Sequence, residues 1–395
     1  MKATIHNEQP DFSLVLGGPL YQLYLRTRLA RAPIELLHRR IVAFVLITWV
    51  PLWLLTAIEG HALGGVKVPF LLDLDAHARF LISLPLLIVA ELFVHQRIRV
   101  IVRQFINRGL IAPEDLPRFE NALASSMRLR NSMVIEIVVF LIAVIGGHWL
   151  WKEQASLRVA TWWGELAADN TVNFNLAGYW YVFISLPLFR FLLFRWYFRL
   201  LVWYRLLWLV AKIPLRLNAL HPDRAAGLGF LGNSVFAFAP VLLAQTVLLS
   251  AVIMSHIWHQ GAVLPDFKLE IVGIVAFLLI LVLLPLTFFA MQLARARRAG
   301  WREYGALGSR YVESFQQKWL AGAAPENEPL IGSADIQSLA DLANSFEVVK
   351  EMDALPFNKN TVLGLAIVIV LPLLPLTLTM IPLDQMIDSA IKLLI

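Results

Sequence analysis

LAGYWYVFISLPLFRFLLFRWYFRLLVWYRLLWLVAKIPLRLNALHPDRAAGLGFLGN, residues 176–233, decides the fold. Its apolar and aromatic pattern runs from residue 176 to about 213. As one helix at 1.5 Å per residue that is roughly 55 Å, well beyond the ~30 Å hydrocarbon core of a bilayer. Such a helix must leave the membrane, and its arginines mark where. Arg190 follows Pro187, and Arg195, Arg199 and Arg205 come after it at spacings of five, four and six residues. That is not the regular row of a voltage-sensing helix. Trp196, Tyr197, Trp203, Tyr204 and Trp208 suit the headgroup level, so the later arginines read as snorkelling anchors at the inner face. Arg190 lies inside the apolar run and does not fit that role.

The rest of the chain has the same character. Of its 395 residues 58% are hydrophobic and 16% charged, where soluble domains carry about 25% charge. Several uncharged runs exceed the ~18 residues that announce a membrane helix. There is no cysteine, which excludes disulfides, thiolate metal sites, iron–sulfur clusters and cysteine nucleophiles. The net charge of +6 is no sign of a nucleic-acid partner, because in a membrane protein the distribution of basic residues matters more than their total.

In chain order the expected spans are 41–58, 80–96, 133–151, the apolar part of 176–233, 234–257, 269–293 and 361–381. Residues 1–40 form a lead-in, with 14–25 an amphipathic piece on the membrane surface. Residues 41–292 form a six-span membrane domain with basic helical extensions at 97–132 and 195–233. Residues 293–360 form a helical segment outside the bilayer, and 361–395 a seventh span with an amphipathic tail. If 1–40, 97–132, 195–233 and 293–360 share one side, that side holds 27 of the 34 Lys and Arg residues. The positive-inside rule makes it the cytoplasm and places the N-terminus inside. The expected fold is an all-α, polytopic transmembrane helical bundle of about seven spans, with helical cytoplasmic extensions.

ISLPL occurs at 82–86 and again at 184–188. Counted from Pro85 and Pro187, Arg97 matches Arg199 and Arg103 matches Arg205. Span six echoes this with Pro285 and Arg297. A parallel hairpin repeat, as in some transporters, would give this pattern. So would the ordinary composition of inward-running membrane helices.

Chemistry concentrates in a few places. Glu91, Glu136 and Arg190 fall inside expected spans, where each charge costs about 2.5–3.5 kcal/mol at the centre and less near the edge. Arg190 is therefore expected to pair with Glu91, Glu136 or both, or the three line water. The pair would serve either an ion path or helix register. Gln245 is a further polar group expected to face inward. Histidines gather on the outer side. His77, in the run Asp73-x-Asp75-x-His77, and His148, His256 and His259 supply donors suited to zinc, copper or haem. No HExxH-type signature accompanies them, and no cofactor is expected. In the segment 335–352, Ile336, Leu339, Leu342, Phe346 and Val349 recur at helical spacing, one apolar face for a neighbouring helix.

Gly227, Gly229 and Gly232 match G-x-G-x-x-G, but a helix precedes them and a span follows, so no dinucleotide site is expected. With His221 and Asp223 they read as a tight cytoplasmic turn into span five. HPDRAAGLGFLG, together with DIQSLADLANSFEVVKEM at 335–352, resembles a group of uncharacterised bacterial integral inner-membrane proteins. The resemblance implies a bacterial inner-membrane location and brings no activity. No phosphate-binding loop, serine-nucleophile elbow or zinc-protease motif appears, so the chain is not read as an enzyme. The expected function is a channel or secondary transporter for an ion or small solute, embedded in lipid as a homo-oligomer. The alternative is a non-transporting scaffold or sensor that binds a partner through its cytoplasmic helices.

Overall fold

The structure is a computed structural model that describes residues 12–29, 35–146, 161–166, 172–325, 328–329 and 333–380. Its elements run α1 (Pro19–Arg26), α2 (Leu37–Ile58), α3 (Leu74–Asn107), α4 (Pro113–Arg130), α5 (Met133–Gly146), β1 (Gly164–Leu166), β2 (Val172–Phe174), α6 (Leu176–Val210), α7 (Gly229–Gln260), α8 (Leu264–Leu320), α9 (Asp335–Lys350) and α10 (Lys359–Met380). Among the described residues, six helices are long and apolar enough to cross a membrane: α2, α3, α6, α7, α8 and α10. The pair α4–α5, bent by 44°, makes up to seven. The chain is an all-α, multi-pass membrane protein; among the described residues the short antiparallel β1–β2 pair is the only sheet. Residues 147–160 and the amphipathic tail at 382–395 lie outside the described residues.

The spans form a centre and a rim. In α3, α6 and α7 about half of the apolar window is buried (56, 56 and 50%), against 17, 22 and 22% in α2, α8 and α10. The rim helices leave Leu46, Val272 and Leu363 exposed. In lipid these are satisfied by acyl chains, so the central helices must be held by packing and by polar contacts between helices.

The two ISLPL copies supply such contacts in the same way. A π-helical turn precedes each proline, Ala78–Ser83 before Pro85 and Tyr181–Ser185 before Pro187. Proline has no N–H to close the preceding turn, and the widened turn absorbs the loss. Ser83 then donates its hydroxyl to Ala244 O on α7 at 2.7 Å, and Ser185 donates to Thr48 O on α2 at 2.8 Å. Pro285 differs, since it opens a 3₁₀ turn, Leu284–Phe289.

The aromatic residues of α6 correct their expected place at the headgroups. Trp196 and Trp203 are buried in the core, and the Trp196 indole donates to Leu87 O on α3 at 2.8 Å. The Tyr204 hydroxyl donates to Leu281 O on α8. Trp208 alone among the tryptophans of this helix stays exposed as the interfacial reading requires. A central helix must fill the space between several neighbours, and large rings with one hydrogen-bonding edge do so without an unsatisfied donor.

α8 continues beyond the apolar run and meets α9. Trp301 and Phe346 pack as a tilted ring pair with centroids 6.0 Å apart, and Val349 is fully buried. A Cβ at Gly300 would sit 2.9 Å from Val349 Cγ1, so glycine lets the two helices close. The Asp335 carboxylate accepts from Lys318 Nζ at 2.8 Å and Trp319 Nε1 at 2.9 Å. Most of the apolar face read at 336–349 is thus spent inside the chain, and Ile336 remains exposed.

The N-terminal segment also differs from expectation. Rather than lying on the membrane surface, Phe12, Ser13, Leu14 and Val15 are buried in the bundle. This stretch is not helical, so its backbone groups need other partners. The Ser13 hydroxyl accepts from the N–H of Val15 and Leu16 and pairs with His95 Nδ1 on α3 at 2.9 Å, while Arg130 donates to Ser13 O.

Candidate functional site

Six charged side chains from five helices converge where the central helices reach the basic end of the bundle. Glu91 of α3 is the hub. Its Oε2 accepts from Arg40 Nη1 of α2. Its Oε1 accepts from Arg199 Nη2 at 2.8 Å and Arg195 Nη1 at 3.2 Å, both on α6. Arg195 also reaches Glu136 of α5, with Nε 3.2 Å from Oε1. Arg40, Glu91, Arg195, Arg199 and Glu136 are all buried.

Local structure explains the placement. Arg195 and Arg199 are four residues apart and share one helix face. Glu136 stands in the first turn of α5, which Ser132 caps by accepting from Ile135 N at 3.4 Å. A carboxylate there is favoured by the helix dipole. The same carboxylate faces the start of α1, 3.4 Å from Leu20 N. Rings support the cations: Arg199 lies 4.6 Å from the Trp196 ring centroid and Arg40 5.4 Å from that of Tyr24. Arg130, at the end of α4, completes the group. It donates to Ser13 O and, from Nε, to Asn131 Oδ1 at 3.0 Å. No carboxylate faces it among the described residues.

The sequence reading is corrected at Arg190. It pairs with neither Glu91 nor Glu136, and lies instead near Arg79 and Tyr181. At 100° per residue, Arg195 and Arg199 are rotated by about 140° and 180° from Arg190, so one helix cannot present all three to the same partner. Arg195 and Arg199, read as inner-face anchors, are core ion-pair residues. Arg205 keeps the anchor role, exposed and donating to Ser125 Oγ at 2.8 Å. Arg40, Arg130, Ser13 and His95 were not identified from sequence. The only one-dimensional hint was the presence of two glutamates that one arginine could not neutralise.

Gln245 does face inward, accepting from the Tyr197 hydroxyl and donating to Val241 O at 3.3 Å. It belongs to the α6–α7 contact and not to the cluster.

The histidines do not gather. Nδ1 of His77 accepts from the Trp49 indole at 3.0 Å, and its Nε2 is 3.2 Å from Leu71 O. His256 pairs with Gln260 Oε1 at 2.8 Å, and His259 is half-buried. Asp73 is spent on capping α3 and accepting the Trp162 indole at 2.7 Å. Among the described residues no three His, Asp or Glu side chains are placed to hold a metal ion. His148 lies outside them.

At the turn before α7, the Asp223 carboxylate does the work that the glycine pattern suggested. Oδ1 accepts from Ala225 N at 2.9 Å and Gly227 N at 3.0 Å, and Oδ2 from Gly229 N at 2.9 Å. His221 Nδ1 stands 2.9 Å from Oδ1. These bonds hold Arg224 and Ala226 at positive φ (55° and 53°), beside Gly227 at 96°, a conformation costly for residues with a Cβ. Gly232 serves close approach, since a Cβ there would be 2.9 Å from Pro356 O. The turn borders a cavity of about 800 Å³ with Gln104, Arg108, Asn233, Asp353 and Asn358 on its wall.

Burial alone would raise the Asp223 carboxyl, but the three backbone donors and His221 outweigh it and hold the group below the usual aspartate range. A depressed carboxyl contributes stability above its unfolded pKa, near 4, and loses it as pH falls through the folded value. Amide exchange at Ala225, Gly227 and Gly229 should therefore be slow at neutral pH and accelerate as pH falls below about 4, after correction for the intrinsic pH dependence of exchange. Asp223→Asn should accelerate it at neutral pH, with loss of about 1.5–3 kcal/mol of local protection. Equal protection in the variant would refute this account of the turn.

Comparison of the chain with family models, with curated proteins and with solved structures finds no match.

Proposed function

We propose that the chain is a channel or secondary transporter for an ion or small solute. The observation that supports this is the buried cluster of Glu91, Glu136, Arg40, Arg195 and Arg199 within a bundle of membrane-spanning helices. Intramembrane charges are costly, and a cluster facing the bundle interior is one mark of an ion or solute pathway. The bias of basic residues supports a cytoplasmic N-terminus, and the resemblance of the 221–232 and 335–352 segments supports a bacterial inner membrane. The space against the cluster measures about 10 Å³, enough for one water and too little for a passage, so on this reading the arrangement is a closed state. The scaffold alternative has less support, because α8 covers most of the α9 face it would use.

The test is flux. Purified protein in liposomes should conduct or exchange ions or small solutes. Arg190→Gln should change the rate or the selectivity, because Arg190 is half-buried in a central span with no carboxylate pair among the described residues. A broad panel of ions and solutes with no flux above empty liposomes would end the proposal.

A further inference from the structure

Charge in the cluster does not balance. Arg40, Arg130, Arg195 and Arg199 stand against Glu91 and Glu136, which leaves an excess of two positive charges. Both carboxylates are already engaged: Glu91 by three arginines, and Glu136 by Arg195 and the Leu20 amide. Arg40 uses Nη1 on Glu91, while its Nε and Nη2 are buried without a partner, on a side chain only 1% exposed. Arg130 has a backbone carbonyl and an amide oxygen for partners, and no anion among the described residues.

The excess is spatially focused. Arg130, Arg195 and Arg199 share the wall of a space of about 10 Å³ with Glu136, Leu14, Gly17, Val139 and Phe198. That is room for about one water-sized particle. Three guanidiniums and one carboxylate around such a space create a local field that favours negative charge, and the apolar walls on the other sides concentrate it. Unbalanced buried charge is destabilising by several kcal/mol per ion unless a counter-charge joins it. A water molecule supplies hydrogen-bond acceptors and no charge.

We infer that this space is a binding site for a small monovalent anion, of halide size, held by Arg130, Arg195 and Arg199. Gly17 belongs to the design: a Cβ there would run into Arg130 and Asn131, so only glycine lets the N-terminal segment close over the site while Arg130 faces it. Size and charge both select. A divalent oxyanion has four oxygens and does not fit without displacing Leu14 or Phe198. A cation would meet three guanidiniums.

As a statement about the transported solute, the inference rests on the transport reading above. As a statement about binding, it is tested apart from flux. Purified full-length protein is heated in chloride or bromide and in gluconate, at one ionic strength. The small anions should raise the unfolding midpoint in a saturable manner, and gluconate should not. Arg130→Gln removes a cluster cation that has no ion-pair partner among the described residues, so the fold should tolerate it. The chloride concentration for half the effect should rise roughly tenfold or more, as expected for losing one charge near a buried ion. Arg130→Lys keeps the charge and should retain most of the response. Arg205→Gln, outside the cluster, should retain all of it. Identical unfolding in chloride and gluconate, or an undiminished response in Arg130→Gln, would overturn the site. Saturable chloride binding in a protein that shows no flux supports the site and overturns the transport reading. Cation flux with no anion effect on stability overturns the site and leaves transport standing.

Discussion

Glu91→Gln should cost the protein about 3–5 kcal/mol, the largest loss of any single polar substitution in the chain. Glutamine keeps the shape of the side chain and one carbonyl oxygen, but it removes the charge that three buried guanidiniums share. Arg40, Arg195 and Arg199 would then repel one another in a region with little water. Glu136 cannot compensate, because it reaches only Arg195. The expected observation is a sharp fall in the thermal midpoint of the purified protein and in its accumulation in the membrane. Arg190→Gln, on the opposite face of the same helix, should stay within about 1 kcal/mol of the parent. The double variant Glu91→Gln/Arg199→Gln should recover part of the loss, because deleting one unpaired cation relieves the other two. A Glu91→Gln protein as stable as Arg190→Gln would show that the ion pairs do not hold the bundle.

Loosening the N-terminal segment should open the cluster to water. Phe12 and Leu14 are almost fully buried, and truncating both to alanine removes contacts worth about 3–5 and 2–5 kcal/mol. The whole-protein loss should be smaller than their sum. The segment can detach while the spans stay packed, and detachment caps the cost at the free energy of local opening. The chain has no cysteine, so a single Val139→Cys reports on the space between the segment and α5 without background. Its labelling by a membrane-impermeant, negatively charged thiol reagent should be slow in the parent. In Phe12→Ala/Leu14→Ala it should be faster by an order of magnitude or more, corresponding to an opening made easier by at least about 1.4 kcal/mol. Unchanged labelling would mean that the segment does not seal the site.

These two expectations separate what could be read along the chain from what could not. The spans were legible because crossing a bilayer is a one-dimensional requirement: enough consecutive apolar residues, with few charges. The bent pair at 113–146 was less so, because its first half is a polar helix and its break falls at Asn131 and Ser132. The Asp223 turn was half legible. His221, Asp223 and the glycines announced a turn, but not that one carboxylate would gather three backbone amides. The N-terminal segment read as an amphipathic surface piece, and nothing in it announced burial. A non-helical stretch of four residues has no period to recognise, and its partners, His95 and Arg130, are about a hundred residues away.

By itself, then, the sequence determined a helical multi-pass membrane protein, the position of most spans, the basic end of the bundle and the presence of glutamates needing partners. Composition and periodicity carry all of these, because the bilayer acts on each segment separately. Only the tertiary structure decided which arginines meet Glu91. Partner choice depends on rotation about the helix axis and on which helices are neighbours. Five residues along α6 turn a side chain by about 140°, so Arg195 and Arg199 meet Glu91 while Arg190, the arginine that the linear pattern singled out, faces away from that cluster and lies near Arg79 and Tyr181.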